Sequence, residues 1–369
     1  MAMKISCQRQ DFLEGVRVVQ NALTSTTLPI LSHILISATG EKVNLAATNL
    51  ETTIQSSFPC EVPQEGEICL PGNKLFQILR ELPPSGVSLM TEGTKATIKC
   101  EKSVFDLLGL EAAEFPEIPK LEEGKEFTLP RERLKEMIQK TIFAASVDET
   151  RQNLNGVYLE IEKKEIKMVA TDGRRLAFVV ASQPSLEVAP VQIIIPLRGI
   201  QQLLRVMEKG EEVRVGAGRS QIFFKMEEVV LISQLIEAKF PNYREVIPKQ
   251  HKIAITADRN GLFAASKRVS LLTEEKSRLI KFKLKGDVLS ISAVSPETGY
   301  AYEELGVRRD GEEDIQIGFN STYLLDALKV ISSAEVQLQL TDSVSPGVIR
   351  PAEGEDYIYV IMPIRIEEE

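Results

Sequence analysis

The chain has 369 residues, of which 43% are apolar and 26% charged, and a formal net charge of −9. That length accommodates two or three domains with cores of their own, and the lack of any run of 18 or more apolar residues excludes a helical membrane span. Two histidines, His33 and His251, and four cysteines at 7, 60, 69 and 100 in no CxxC spacing exclude most zinc sites and histidine-based acid–base schemes, and imply reduced, inert thiols.

The N-terminal "MAMKISCQRQ" has no apolar stretch behind its lysine and does not read as a secretory signal. A helix is expected at about 8–22, followed by "KVNLAATN", whose apolar residues at 43, 45 and 47 alternate as in a half-buried strand. Next, "LPGNKLFQILREL" carries helical apolar spacing entered from a proline, and Val87/Leu89 mark another strand before the stretch "AEFPEIP".

The series then starts again. An extended "EFTLP" leads to a helix at 130–145, the alternating "EIKMVATD" with 166, 168 and 170 apolar, the helix "IPLRGIQQLLRVM", a strand at Val213/Val215 and the closing "AKFPNYREVIP". A third round runs through "KIAIT", a helix at 257–272, "VLSISAVS" with 289, 291 and 293 apolar, the helix "GFNSTYLLDALKV", Val336/Leu338 and "VIMPIRI". The alternating strands recur at an offset of 123 residues both times, Phe115-Pro116 and Phe240-Pro241 lie 125 apart, and Pro363 lies 122 beyond Pro241. Three repeated α+β domains follow, at 1–122, 123–248 and 249–369, with boundaries in "LEEGK" (121–125) and "IPKQH" (247–251). Each holds two helices and about eight strands in a doubled strand-helix-strands unit, with the helices covering one side of the sheets. Such a protein forms either an open array or a closed arc; edge-to-edge pairing that closes a ring would remove exposed sheet edges, and closed cyclic homo-oligomers are the commoner solution, but the sequence alone does not choose.

The charge is unevenly divided. Six helical windows (8–22, 73–82, 130–145, 197–209, 257–276 and 320–330) hold 16 Lys and Arg against 10 Asp and Glu, leaving the remainder at −15. The main contributors are Arg131, Arg133, Lys135, Lys140, Arg198, Arg205, Lys209, Arg259, Lys267 and Arg268. If the helices share a face, its mild positive field attracts phosphates without fixing a register, which suits sliding along a duplex; ordinary helix solvation is the competing reading.

Motifs for chemistry are scarce. "GAGRS" (216–220) lacks the Lys-Ser/Thr of a phosphate loop and reads as a hairpin turn. "VATDGRRLA" (169–177) contains an Asp-Gly turn, but Asp172 has no evident second carboxylate or histidine to join it in catalysis or metal binding. The acidic clusters at 111–117, 303–304, 310–314 and 353–356 lack a calcium-loop rhythm and read as solvated loops. His33 reads as a structural histidine and His251 as an exposed linker residue. No cofactor and no metal are expected.

The stretches "TLPILSHILI", "LAATNLE", "FPEIP", "LNGVYLE", "VATDGRRLA", "FPNYREVIP", "IGFNSTYLLDAL", "LTDSVSPGVI" and "YVIMPIR", in this order over almost the whole chain, give it a resemblance to the bacterial DNA polymerase III beta subunits, the replicative sliding clamps. The resemblance implies a cytoplasmic, non-catalytic processivity factor: a head-to-tail homodimer of three-domain crescents forming a six-domain ring around duplex DNA, without sequence specificity. A loader places it on primed DNA, and the replicative polymerase, the loader and repair proteins bind it through short linear peptides. The peptide cleft implied by matching motifs comprises Leu154, Thr171, Gly173, Arg174, Arg175, Leu176, Pro241, Val246, Val360, Ile361, Met362, Pro363, Ile364 and Arg365. The dimer contact implied is Lys74, Phe105 and Leu107 facing Leu271 and Leu272. Arg174 stands where histidine is familiar in the family and Glu245 where arginine also occurs, so a different rim preference is implied; the tail Glu367–Glu369 extends past the usual end. A repeat-domain interaction scaffold that never encloses DNA is the alternative.

Overall fold

The computed structural model describes residues 2–24, 27–120, 125–183, 189–354 and 356–366. Ser25 and Thr26, the expected boundary residues 121–124 and the Glu367–Glu369 tail lie outside the described residues.

The expected periodicities become elements. Val43, Leu45 and Ala47 of the Lys42–Thr48 strand are buried, as are Ile166, Met168 and Ala170 of Glu165–Thr171 and Leu289, Ile291 and Ala293 of Val288–Ser295. Helix Gly72–Glu81 buries Gly72, Leu75 and Leu79, and helix Arg259–Val269 buries Leu262, Ala265, Ser266 and Val269, the three-and-four spacing of a single apolar stripe. Asp258 starts the latter helix by accepting the Gly261 amide at 2.6 Å, and Asn320 caps Ser321–Val330 by accepting the Thr322 and Tyr323 amides; each cap satisfies donors that a first turn leaves open. Three expected helices are shorter than their windows, the one at 130–145 running only Arg131–Gln139 before a 3₁₀ turn at Ile142–Ala144. Arg9–Val19 passes into a 3₁₀ turn at Gln20–Ala22, and Arg259–Val269 into one at Ser270–Leu272, so Leu271 and Leu272 sit on a tight turn rather than on the helix itself.

The structure divides into two compact units, Met1–Lys135 with Arg198–Leu235, and Glu136–Leu197 with Ile236–Glu369. In the first, an antiparallel sheet runs Glu61–Gln64, Lys4–Gln8, Gly86–Glu92, Lys95–Cys100, Ser103–Leu108. Its second sheet runs Lys125–Pro130, Glu212–Ala217, Gln221–Met226, Val229–Gln234, Thr52–Pro59, Lys42–Thr48, His33–Thr39, Gly66–Pro71. Helices Arg9–Val19 and Gly72–Glu81 pack against one another, the first also over the Thr52–Pro59 strand.

In the second unit, one sheet runs Val191–Pro196, Gly156–Glu162, Glu165–Thr171, Arg175–Ser182, Tyr357–Ile361, Gly347–Pro351, Glu335–Leu340, Ile253–Asp258, Arg308–Asp310. The other runs Gly299–Gly306, Val288–Ser295, Leu279–Lys285, Ile315–Asn320.

Units and sequence repeats therefore do not coincide, and the reason is strand pairing. Thr52–Pro59 of the first repeat pairs antiparallel with Val229–Gln234 of the second, placing Ile54 opposite Leu231. Arg175–Ser182 of the second pairs likewise with Tyr357–Ile361 of the third, placing Leu176 opposite Val360. Strands that would be edges of separate domains become central strands of continuous sheets, which satisfies their backbone groups.

Cys60, Cys69 and Cys100 are buried free thiols, and burial pushes Cys69 up to about 12, as expected of inert cysteines. His33 Nδ1 lies 2.8 Å from the Pro29 carbonyl, and His251 is exposed. No helix is long and apolar enough to cross a membrane among the described residues.

Candidate functional site

A pocket of about 130 Å³ opens in the second unit at the end of the Arg175–Ser182/Tyr357–Ile361 pairing. Its floor is set by register, since Leu176 and Val360 are opposite one another and both almost fully buried. Leu154 enters from the 3₁₀ turn Gln152–Leu154, and Tyr243 and Val246 from the short helix Tyr243–Val246, which follows Pro241. Met362 closes the ring and is 40% exposed, as is Val246 at 44%, so two flexible or branched apolar side chains stand at the mouth of a buried floor.

The wall formed by Thr171 to Arg175 is held by a network of internal hydrogen bonds. Asp172 Oδ1 accepts the amides of Arg174 and Arg175 at 2.8 and 3.0 Å, and Thr171 Oγ accepts the Gly173 amide at 3.0 Å while donating to the Arg175 carbonyl at 2.6 Å. Gly173 takes φ +86°, the left-handed region this turn requires. Arg175 is anchored behind the pocket: Nε donates to Asp172 at 3.1 Å, Nη1 to Asp326 at 2.6 Å and Nη2 to the Phe143 carbonyl at 2.6 Å, and the guanidinium stacks 4.4 Å from the Tyr323 ring. Asp172 is thus committed to structure, with both oxygens occupied, rather than held as a free general base.

Behind the floor lies an aromatic layer. Tyr158 stacks on Phe240 at 4.7 Å, and Phe178 on Tyr243 at 5.7 Å, within a cluster that includes Val169, Leu176, Ile194, Val348 and Val360. The layer encloses a carboxylate. Glu160 is 1% exposed and accepts from Arg244, with Lys167 at 3.5 Å and the Tyr243 hydroxyl at 3.5 Å. Burial, and then the charge of Glu160, push the Tyr243 phenol well above its usual range, so it stays a neutral donor.

Of the fourteen cleft residues expected from sequence, ten line this pocket. The other four do not: Ile361 is fully buried in its strand opposite Arg175, Pro363 and Arg365 follow beyond the mouth, and Ile364 forms a bridge with Gly318. Tyr243 is the lining residue that sequence reasoning missed. A signal for it existed, an aromatic three residues after Phe240, where its ring packs with the Phe-Pro segment.

Among the expected cationic residues, Arg133, Arg198, Arg205, Lys209, Lys267 and Arg268 are exposed, and Arg131, Lys135 and Arg259 are half-buried. Lys140 requires a correction. It is 4% exposed, pairs with Glu136 at 2.8 Å and lies 5.9 Å from the Tyr357 ring, so its charge is consumed inside the fold and is not offered to a phosphate. Arg268 is exposed but held by a two-pronged pair with Glu303, both contacts at 2.6 Å. Lys209 lies 3.4 Å from Glu14.

The residues expected at a dimer contact are presented on surfaces. Phe105 is 39% exposed on Ser103–Leu108, the edge strand of its sheet, with Leu107 half-buried beside it; Leu271 is 78% exposed and Leu272 half-buried; Lys74 is exposed on its helix. Simple inward alternation of Phe105 and Leu107 does not describe this strand, whose Val104 and Leu108 are also exposed.

Sequence profiles of the DNA polymerase III beta subunit match the chain three times in order: the N-terminal domain at 3–119, the central domain at 128–242 and the C-terminal domain at 244–365. The chain belongs to the DNA polymerase III beta subunit family. Among curated relatives, the beta sliding clamp of Pseudomonas putida is 33% identical over 368 residues, and that of Escherichia coli 34% over 369, each alignment covering 99% of this chain and all of the relative. The DNA polymerase III subunit beta of Pseudomonas aeruginosa superimposes with a TM-score of 0.95 at 33% identity, covering 99% of this chain and all of the other. The Bacillus subtilis sliding clamp gives 0.96 at 30% over the whole of both chains. The fold is accordingly three α+β clamp domains, and the family is that of the non-catalytic processivity factors of DNA polymerase III.

Proposed function

We propose that this protein encircles duplex DNA as a head-to-tail homodimer, with clamp domains at 1–122, 123–248 and 249–369, and tethers the replicative polymerase through a short linear peptide seated in the pocket at Leu176 and Met362. The observation that carries the reading is the conjunction of three clamp domains in order over residues 3–365 with a pocket walled by Leu154, Leu176, Val246, Val360 and Met362. An aliphatic or aromatic anchor fits between these side chains, and Arg174 at the exposed rim favours an acidic or carbonyl-rich flank. Loader and repair proteins compete for the same pocket. Support for a ligand-receptive clamp comes from a Pseudomonas aeruginosa relative of 32% identity and TM-score 0.94, whose structure is bound to griselimycin.

The dimer contact joins the exposed edge strand of Phe105 and Leu107 to the Leu271–Leu272 turn of a second copy, with Lys74 at the rim. The ring interior is lined by Arg131, Arg133, Lys135, Arg198, Arg205, Lys209, Arg259, Lys267 and Arg268, whose contacts with phosphate carry no sequence information. Its place of work is the cytoplasm, where chromosome replication occurs. The test is topological: after loading, the protein stays on closed circular DNA and leaves when the circle is cut. Equal retention on circular and linear DNA contradicts enclosure.

A further inference from the structure

We propose that the open face of the Gly299–Gly306, Val288–Ser295, Leu279–Lys285 sheet binds single-stranded DNA, with Lys281, Lys283 and Lys285 tracking the phosphates and Tyr300 and Tyr302 stacking on bases.

The same face is covered in the other two repeats. In the second repeat the row Tyr158, Val169, Phe178 crosses the sheet, and Phe240 and Tyr243 cover it by ring stacking. In the first repeat the corresponding row is Leu35, Ala46, Gln55, and Phe115 and Ile118 pack over it. In the third repeat the row is Lys281, Ser292, Tyr302, and among the described residues no aromatic segment lies over it. A face that is roofed twice and apolar is left open once and rewritten in cationic and aromatic residues.

The rewriting is directional. Lys281, Lys283 and Lys285 alternate along one strand, so all three emerge on the same face about 7 Å apart. None of them has an ion-pair partner among the described residues. Across the sheet, Lys283 is opposite Ser290, which is opposite Glu304. Tyr300 and Tyr302 are 61% and 49% exposed and stack on one another with ring centroids 6.3 Å apart. The Tyr302 hydroxyl donates to Glu304 and lies 3.1 Å from Ser290 Oγ, which fixes the ring leaning across the sheet while the residue stays 49% exposed. Together they border a shallow depression of about 500 Å³.

A row of cations beside exposed rings is the arrangement that binds an unpaired strand, because unstacked bases offer faces to the rings while the backbone follows the charges. An acidic peptide would use the lysines but has no need of two exposed rings, and duplex DNA keeps its base faces hidden. The residues of this surface are neither those lining the pocket at Leu176 nor the cations of the helices, although helix Arg259–Val269 packs on the same strands and Arg268 pairs with Glu303 of one of them.

The test is fluorescence anisotropy of a short labelled oligo(dT) with the full-length protein across a salt series. Three lysine contacts predict a slope of log affinity against log salt of about −2. Lys281→Gln, Lys283→Gln and Lys285→Gln together are expected to weaken binding at least tenfold and to remove that slope. Tyr302→Ala is expected to weaken it roughly tenfold, whereas Tyr302→Phe, which keeps the ring face, retains it. Unchanged thermal unfolding and unchanged retention on circular duplex in the triple variant separate this site from the clamp's DNA channel. Wild-type affinity and slope in the triple variant overturn the proposal. So does displacement of the strand by polyglutamate with no effect of Tyr302→Ala, which assigns the face to an acidic protein segment.

Discussion

The two places where one repeat's sheet continues into the next share a turn but not the side chains it carries. At Thr48–Thr53, Asn49 Oδ1 accepts the amides of Glu51 and Thr52, Thr48 Oγ accepts the Leu50 amide, and the Gln234 amide donates to the Glu51 carbonyl at 2.8 Å. At Thr171–Leu176, Asp172, Thr171 and the Met362 amide make the same bonds at corresponding positions. The backbones therefore repeat, and what differs is the side chains they aim. Leu176, Val360 and Met362 of one junction are Thr53, Ile232 and Gln234 of the other, and there Thr53 and Thr48 hydrogen-bond each other at 2.9 Å. A receptive apolar site is made by substituting residues on a fixed scaffold, not by building a new one.

The largest expected effect comes from erasing that difference. Leu176→Thr combined with Met362→Gln gives the pocket the side chains of the other junction, and a partner peptide titrated by anisotropy should bind at least a hundredfold more weakly, about 2.8 kcal/mol. Retained affinity would show that the pocket's apolar floor is not the anchor site.

A second contrast concerns what lies beneath. Glu160 is a buried carboxylate under the pocket's aromatic layer, whereas the corresponding residue of the first repeat is Ser37, which simply donates to Glu67 at 2.7 Å. Arg244→Ala leaves Glu160 with Lys167 as its remaining cation and should cost about 2 kcal/mol, less than for a fully buried pair because Arg244 is itself half exposed. A lowered midpoint in thermal unfolding checks this; no change would mean that solvent already compensates Glu160.

The turns themselves provide a finer comparison. Leu50 occupies φ +75° where Gly173 occupies φ +86°. Gly173→Leu should destabilise by about 1 kcal/mol, and Leu50→Gly should change stability by less than that, because relieved strain is offset by a freer unfolded chain. Equal effects at both sites, read from denaturant midpoints, would contradict a strained Leu50.

The smallest effect is electrostatic. In the first unit, Arg17 of the first repeat reaches Glu14 at 2.8 Å and Glu208 of the second repeat at 2.5 Å, and its hydrogen bonds hold both carboxyls below their usual range. A depressed folded pKa contributes stability above the unfolded value of about 4.3 and loses it as pH falls through the folded one. Arg17→Ala should therefore lower the unfolding free energy by at most about 1 kcal/mol at pH 7, and by progressively less below about pH 4. An undiminished difference in acid would remove the pair from the account.

Much of this was legible in the sequence because it is periodic or local. Alternation at 166, 168 and 170, helical spacing in "IPLRGIQQLLRVM" and the Asp-Gly turn each depend on near neighbours. Pairing between repeats is not local: nothing in "VVLIS" states that Leu231 will lie opposite Ile54, 177 positions away, so the division into two units was invisible. Lys140 shows the same limit at one side chain, since the ring that encloses it belongs to Tyr357. Ten pocket residues were reachable through family motifs, while Tyr243 was passed over because it serves as both core and wall.

The most direct measurement is amide hydrogen exchange with a saturating partner peptide of known stoichiometry. One peptide per chain is expected, with new protection in 174–176 and at Met362 and none in 51–53 or at Gln234. Two peptides per chain, or equal protection at both junctions, would contradict the claim that side chains alone make one of two matching turns a binding site.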